Sequence, residues 1–213
     1  MTAPPTYKGR PVPYIAAWSS EHLPHPRILP ARDGIELMGH PRDSAGVSWD
    51  PWALRQGDGT PEYGIVHGPR QRRCMRRQLC QVCSGPADKN ELGWLWLLEN
   101  HRGEEPDWPE REVTTHPPVC APCMPLTLRL CPHMRDAVAV RVGQVVVDGV
   151  YGQLYQPGTP LPVRAEKKVV STDDGQVRWM VGAQLAATLL DVTVVEMPEP
   201  GTEAPAARAA GRR

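Results

Sequence analysis

Six cysteines are the residues of this chain best suited to chemistry, and their spacing is selective. They stand at positions 74, 80, 83, 120, 123 and 131, all within 58 residues of a 213-residue chain. Two matched pairs stand out, Cys80-x2-Cys83 and Cys120-x2-Cys123, separated by 36 residues. A C-x-x-C turn folds the backbone into a tight knuckle that aims two thiolates at one point. Two such turns supply the four sulfur ligands that a tetrahedral Zn²⁺ takes at about 2.3 Å. The expected cofactor is therefore one Zn²⁺ on Cys80, Cys83, Cys120 and Cys123. Four thiolates leave no position for water, so the ion is expected to be structural, contributing folding energy and not chemistry. The competing explanation is a set of buried free thiols or redox cysteines. His116, Cys131 and His133 flank the second pair and are candidates to replace a cysteine or to support the ligands from behind. Cys74 reads as a small apolar residue of a helix.

The elements that must position these ligands are readable around them. Gly85 follows the first pair and would relieve the backbone as the knuckle exits. The second pair opens a helix, because Pro122 and Pro125 are tolerated in a first turn where amide hydrogens lack partners. That helix, Leu126–Leu130, should stop at Pro132. Between the pairs, Trp94–Glu99 is strand-like and is expected to pair with Arg111–Thr115 across a long acidic loop. Knuckle, hairpin, then a helix whose first turn carries the last ligands resembles the treble-clef zinc finger in order and spacing, over about a quarter of the chain.

Treble clefs also underlie HNH-type nucleases, and this resemblance supplies an enzymatic alternative. His101 would activate water and Glu99 would hold a divalent cation. The helix departs from that family's pattern, since Met124-Pro125-Leu126 offers no Asn or His. No phosphate-binding glycine loop, G-x-S-x-G or H-E-x-x-H motif is present.

Charge is locally uneven although the 24 basic and 24 acidic residues cancel. Arg70–Leu79 contains no breaker and is expected to be a short helix carrying Arg70, Arg72, Arg73, Arg76 and Arg77. Such a helix could neutralise phosphates, dock on an acidic protein or pair internally with the acidic loop at residues 99–112. The first of these gives a second alternative, a transcriptional regulator reading DNA through the Arg helix. Trp108 in that loop is a candidate aromatic anchor for a partner, or packs on the hairpin.

The expected class is α+β: a treble-clef zinc centre embedded in one mostly β, loop-rich domain with a disordered C-terminal tail. Residues 1–69 form a Pro-rich segment packing on the core, with Trp49 and Trp52 as anchors. Residues 70–135 hold the Arg helix and the zinc module, 136–197 a β-rich part, and 198–213 the tail. Within 136–197, residues 136–155 read as two or three strands broken at glycines. Residues 166–181 read as a hairpin turning at DDG, and 182–190 as a short apolar helix. No apolar run of about 18 residues and no signal-peptide core occurs, so a cytoplasmic protein without membrane contact is expected.

The strings RQRRCMRRQLCQVCSGPAD, WLWLL, THPPVCAPC and LCPHMR are similar to small zinc proteins of Streptomyces chromosomes, integrated elements and phages. The composition agrees, with 25 Pro, no Phe and few Lys, as GC-rich coding produces. This resemblance implies a non-enzymatic accessory protein whose partner is a recombinase or other DNA-processing enzyme, with DNA possible beside it. Its sharpest form is a recombination directionality factor acting on a serine integrase. No small-molecule substrate is expected.

Overall fold

A computed structural model describes residues 3–104, 106–131, 134 and 136–196. His133 and the tail from 198 onward lie outside the described residues. The chain is mostly β. The N-terminal segment contributes β1 (Thr6–Tyr7), β2 (Arg10–Pro11), β3 (Ala16–Trp18), β4 (Ile28–Ala31), β5 (Gly34–Leu37), β6 (Ser48–Trp49) and β7 (Pro61–Val66). Then follow α1 (Gly68–Arg77), β8 (Lys89–Asn90), β9 (Gly93–Leu98), β10 (Val113–Thr114), α2 (Met124–Leu130), β11 (Val138–Gln156), β12 (Val163–Ser171) and β13 (Met180–Val194). No helix among the described residues is long and apolar enough to cross a membrane.

The sheet is organised around β11, which runs 19 residues without interruption. One edge pairs with β13 throughout; the other pairs first with β9 and then with β12. The glycines expected to end strands instead mark irregularities within one. The register with β13 shifts between Val146 and Gly149 and again between Tyr151 and Gly152. A side chain at Gly152 would place its Cβ 2.2 Å from the Val181 carbonyl oxygen. Bulges and close backbone approach let the strand bend and continue.

The expected helix at 182–190 is strand, part of β13. Its Ala and Leu residues favour a helix locally, but β11 on one side and β10 and β6 on the other claim its backbone groups. The small residues serve another purpose: α1 lies close over them. A Cβ at Gly68 would come within 2.6 Å of the Ala183 carbonyl oxygen. The expected 166–181 hairpin is also absent. β12 pairs back onto β11, and a 3-10 turn at Gly175–Trp179 carries the chain across to β13.

β9 and β11 separate two cores by simple alternation. Leu95, Leu97 and Ala139 face the cysteine pairs. Trp96, Leu98, Val138, Val140 and Val142 face Met75 of α1 and Leu185, Ala187 and Leu189 of β13. The sheet therefore carries the paired-cysteine segment on one face and the Arg helix on the other.

The N-terminal segment is clamped to α1 by a buried polar cluster. Arg70 donates to both oxygens of Glu21, at 2.5 and 2.6 Å, and to the Ala16 carbonyl at 2.6 Å. Glu21 also accepts from the Trp18 and Arg55 backbone amides. Burial alone would raise the Glu21 pKa, but Arg70's hydrogen bond and charge outweigh it and hold the carboxyl below its usual range. His67 caps α1, its Nδ1 accepting from the Arg70 amide while Nε2 meets the Ala53 carbonyl at 3.0 Å. This fixes a neutral ring with its proton on Nε2.

Burial, with Arg70 beside it, keeps the His67 pKa below the usual histidine value. A proton therefore binds more readily in the unfolded chain, and stability should fall as pH drops below about 6.5. His67→Asn keeps an N-cap acceptor and cannot titrate. Urea denaturation at pH 7.5 and 5.5 should show a shallower pH dependence for this variant than for the wild type; identical slopes would exclude His67 as a source.

Candidate metal centre

The two C-x-x-C pairs converge. The Sγ atoms of Cys80, Cys83, Cys120 and Cys123 all lie within 4.8 Å of one another, and this is the one such ligand group among the described residues. Cys80, Cys83 and Cys123 are buried and Cys120 is half-buried. None of the six cysteines is in a disulfide. The Cys83 and Cys120 sulfurs stand 3.7 Å apart. Four sulfurs at about 2.3 Å from a tetrahedral ion would be about 3.8 Å from each other, so the set fits a metal of that geometry.

The local backbone explains the convergence. In the first knuckle, the Cys80 amide donates to the Gly85 carbonyl and the Ser84 amide to the Cys80 carbonyl. The left-handed residue that turns this loop is Ser84, at φ 59, and not Gly85. The second pair opens a 3-10 turn at Ala121–Cys123 that runs into α2, with Pro125 in the first turn as expected. Three long-range backbone bonds hold the pairs together: Gln81 to Pro118, Asp88 to Val119, and Val119 to Leu95. The knuckle is also tied to the N-terminal segment, since Tyr14 and Ile15 donate to the Val82 and Gln81 carbonyls.

Electrostatics favour a cation at this point. Burial and neighbouring sulfurs push the Cys120 thiol up to about 12, and Cys123 higher still. Burial would raise Cys83 as well, but hydrogen bonds from the Gly85 backbone and the other sulfurs bring it below its usual value. Several thiolates this close oppose each other's ionisation, and a bound divalent ion reverses that opposition.

The expected strand pairing beside the site is corrected. Trp94–Glu99 does not pair with Arg111–Thr115. β9 joins β11 and the two-residue β8, whereas β10 joins β13. The long central strands offer far more pairing than a two-residue strand can. A positive φ at Gly93 (110°) makes the tight β8–β9 turn possible.

Cys74 is fully buried, with its Sγ 3.8 Å from the Cys80 carbonyl, and Cys131 packs on the apolar side of the cluster. Neither belongs to the ligand group, nor does His116, whose carbonyl accepts from Trp96 Nε1 at 2.6 Å. His101 sits beyond β9 with the Glu99 carboxylate 3.7 Å away, and no third ligating side chain joins them among the described residues.

The five arginines of α1 do not share one surface. Arg70 is consumed by Glu21, a partner outside the acidic loop. Arg72 stacks over Trp49 at 4.2 Å and donates to the Ala183 carbonyl; burial lowers its pKa to about 10, which leaves it cationic at neutral pH. Arg73 is exposed and donates to the Tyr14 hydroxyl at 3.1 Å. Arg76 and Arg77 are exposed. None of these last three forms an ion pair among the described residues. The acidic loop is tied elsewhere, Glu110 accepting from the Asp191 and Val192 amides. Trp108 is half-buried against the core that contains Met75 and Trp96.

Three residues that organise this region were missed in the sequence. Glu21 and His67 form the clamp described above. Gln71 is fully buried, donates to Thr115 and Leu185 carbonyls and accepts from the Leu185 amide, joining α1 to β13. A Gln among arginines carries no signal of such a role. Comparison with known protein families, with curated proteins and with solved structures finds no match.

Proposed function

We propose that this chain is a non-enzymatic recognition module built on a treble-clef-like structural zinc centre, the accessory partner of a DNA-processing protein. The observation that carries this reading is the closed set of four cysteine sulfurs. Four thiolates complete a tetrahedral shell, so the ion stabilises the fold and leaves no position for substrate or water. What such a centre supports is a surface, and the exposed charges of Arg73, Arg76 and Arg77 are the part of α1 left for a partner. Arginine forks suit carboxylates on an acidic protein surface. Modulation of a site-specific recombinase is the specific form of this reading.

Arg73→Ala/Arg76→Ala/Arg77→Ala tests it. All three side chains are exposed, so folding should be retained within about 0.5 kcal/mol per position. The wild-type chain, used as bait in its host, should enrich a recombinase or another DNA-processing enzyme that the triple variant fails to capture. Tight binding to a 20-base-pair duplex that falls steeply with salt, and is lost in the triple variant, would instead establish the DNA-binding regulator. Mg²⁺-dependent DNA cleavage abolished by His101→Ala would establish the nuclease.

A further inference from the structure

A cleft of about 460 Å³ lies away from the cysteines, between the N-terminal segment and the sheet. That volume is in the range of small-molecule sites. Its walls combine His25 and Asp50 from the N-terminal segment with Tyr151 and Gln153 of β11 and Arg164 and Lys167 of β12. None of the metal-centre thiols lines it.

Asp50 is the anomaly. Three-quarters of its side chain is covered, yet its closest charged partner is the His25 Nδ1 at 3.7 Å, on a ring that is 88% exposed. Burial raises the Asp50 pKa despite His25, Arg72 and His22. A carboxylate accepts hydrogen bonds and gives none, and one whose ion-pair partner is an exposed histidine keeps capacity for donors from elsewhere.

Strand register sets the distance between this acceptor and the cations. Lys167 pairs with Gln153, Gln153 pairs with Val181, and the Asp50 amide donates to the Gly182 carbonyl. Asp50 and Lys167 are thus three strand steps apart, about 14 Å between backbones at about 4.8 Å per step. Tyr151 lies between them, two residues before Gln153 on the same face of β11. Arg164 is steadied by its Nε donating to the Tyr155 hydroxyl at 3.3 Å.

An inorganic phosphate would reach only the cationic end. A ligand that spans the cleft needs donors at one end, a flat ring in the middle and an anion at the other. We propose that this cleft binds a nucleotide, its base edge on Asp50, its ring against Tyr151 and its phosphate on Arg164 and Lys167. Guanine is favoured, because it presents two adjacent N–H donors to the two carboxylate oxygens. Base stacking on an aromatic ring tolerates any base, so the preference comes from Asp50. This departs from the sequence expectation that no small molecule is bound, and it does not depend on the accessory-protein reading.

Isothermal titration of the full chain with guanosine 5′-monophosphate, adenosine 5′-monophosphate and ribose 5-phosphate tests it. The guanine nucleotide should bind saturably, and both other compounds at least about tenfold more weakly, the loss of roughly one charge-assisted hydrogen bond. Asp50→Asn and, separately, Arg164→Ala/Lys167→Ala should each weaken it by a similar factor. Arg164 and Lys167 are exposed, so the double variant keeps its fold. Absence of saturable binding at millimolar nucleotide overturns the proposal. So does unchanged affinity in either variant, or equal affinity for ribose 5-phosphate or the adenine nucleotide.

Discussion

Protein purified without added zinc should carry one zinc per chain, and Cys80→Ser or Cys120→Ser should remove the metal and the cooperative fold together. Structural zinc contributes an apparent 10–16 kcal/mol in small zinc-finger peptides, as much as or more than the roughly 5–15 kcal/mol by which a whole domain is stable. The effect should reach beyond residues 80–123. Leu95, Leu97 and Ala139 pack on the ligand segment from β9 and β11. Tyr14 and Ile15 bond directly to the knuckle backbone. Native mass spectrometry gives the stoichiometry, and thermal melting by circular dichroism gives the loss. Cys74→Ala and Cys131→Ser should retain the ion, because neither sulfur belongs to the ligand group. A chain without zinc, or one whose melting ignores Cys120→Ser, would return the cysteines to a redox explanation.

The second large effect is expected at the clamp between the N-terminal segment and α1. Glu21 is fully buried and Arg70 is 5% exposed. Removing one partner of such a pair leaves an uncompensated buried charge and costs about 3–5 kcal/mol. Arg70→Met should therefore lower the melting temperature by roughly 10 °C in a chain of this size. Glu21→Ala should cost a similar amount and, in addition, orphan the Trp18 and Arg55 amides. Combining Arg70→Met with Glu21→Gln should recover part of the loss, since a neutral pair avoids the stranded charge. Urea denaturation of Arg70→Met, Glu21→Gln and the double variant measures that coupling. Strict additivity would mean that the pair is held by packing alone.

This clamp also shows why a string of arginines is a poor guide to a surface. Their positions on a breaker-free stretch predict a helix, and α1 forms. Which face of it meets solvent depends on Glu21, 49 residues earlier, and on Trp49, which takes Arg72. Neither partner is implied by the arginines themselves. Trp108 has two readings in sequence, partner anchor or packing residue, and its ring is half-buried against the apolar core of the sheet.

The sequence by itself determined the four-cysteine cluster that could hold a metal. Ligand type and C-x-x-C spacing are local properties, since each knuckle is set by a few consecutive residues, and the proline-started helix after the second pair is local too. The short-stranded N-terminal segment and the mostly β composition were legible for the same reason. The tertiary structure decided the pairing. Residues 182–190 have a helical composition but become strand because β11 satisfies their backbone along one edge and β10 and β6 along the other. Gly149 and Gly152 of β11 read as breaks but lie at register shifts within one strand, because β12 and β13 hold it on both sides. The cleft around Asp50 joins residues more than a hundred positions apart. A charge such as Asp50 is ordinary in sequence and becomes distinctive only when folding covers most of it and leaves an exposed histidine as its ion-pair partner.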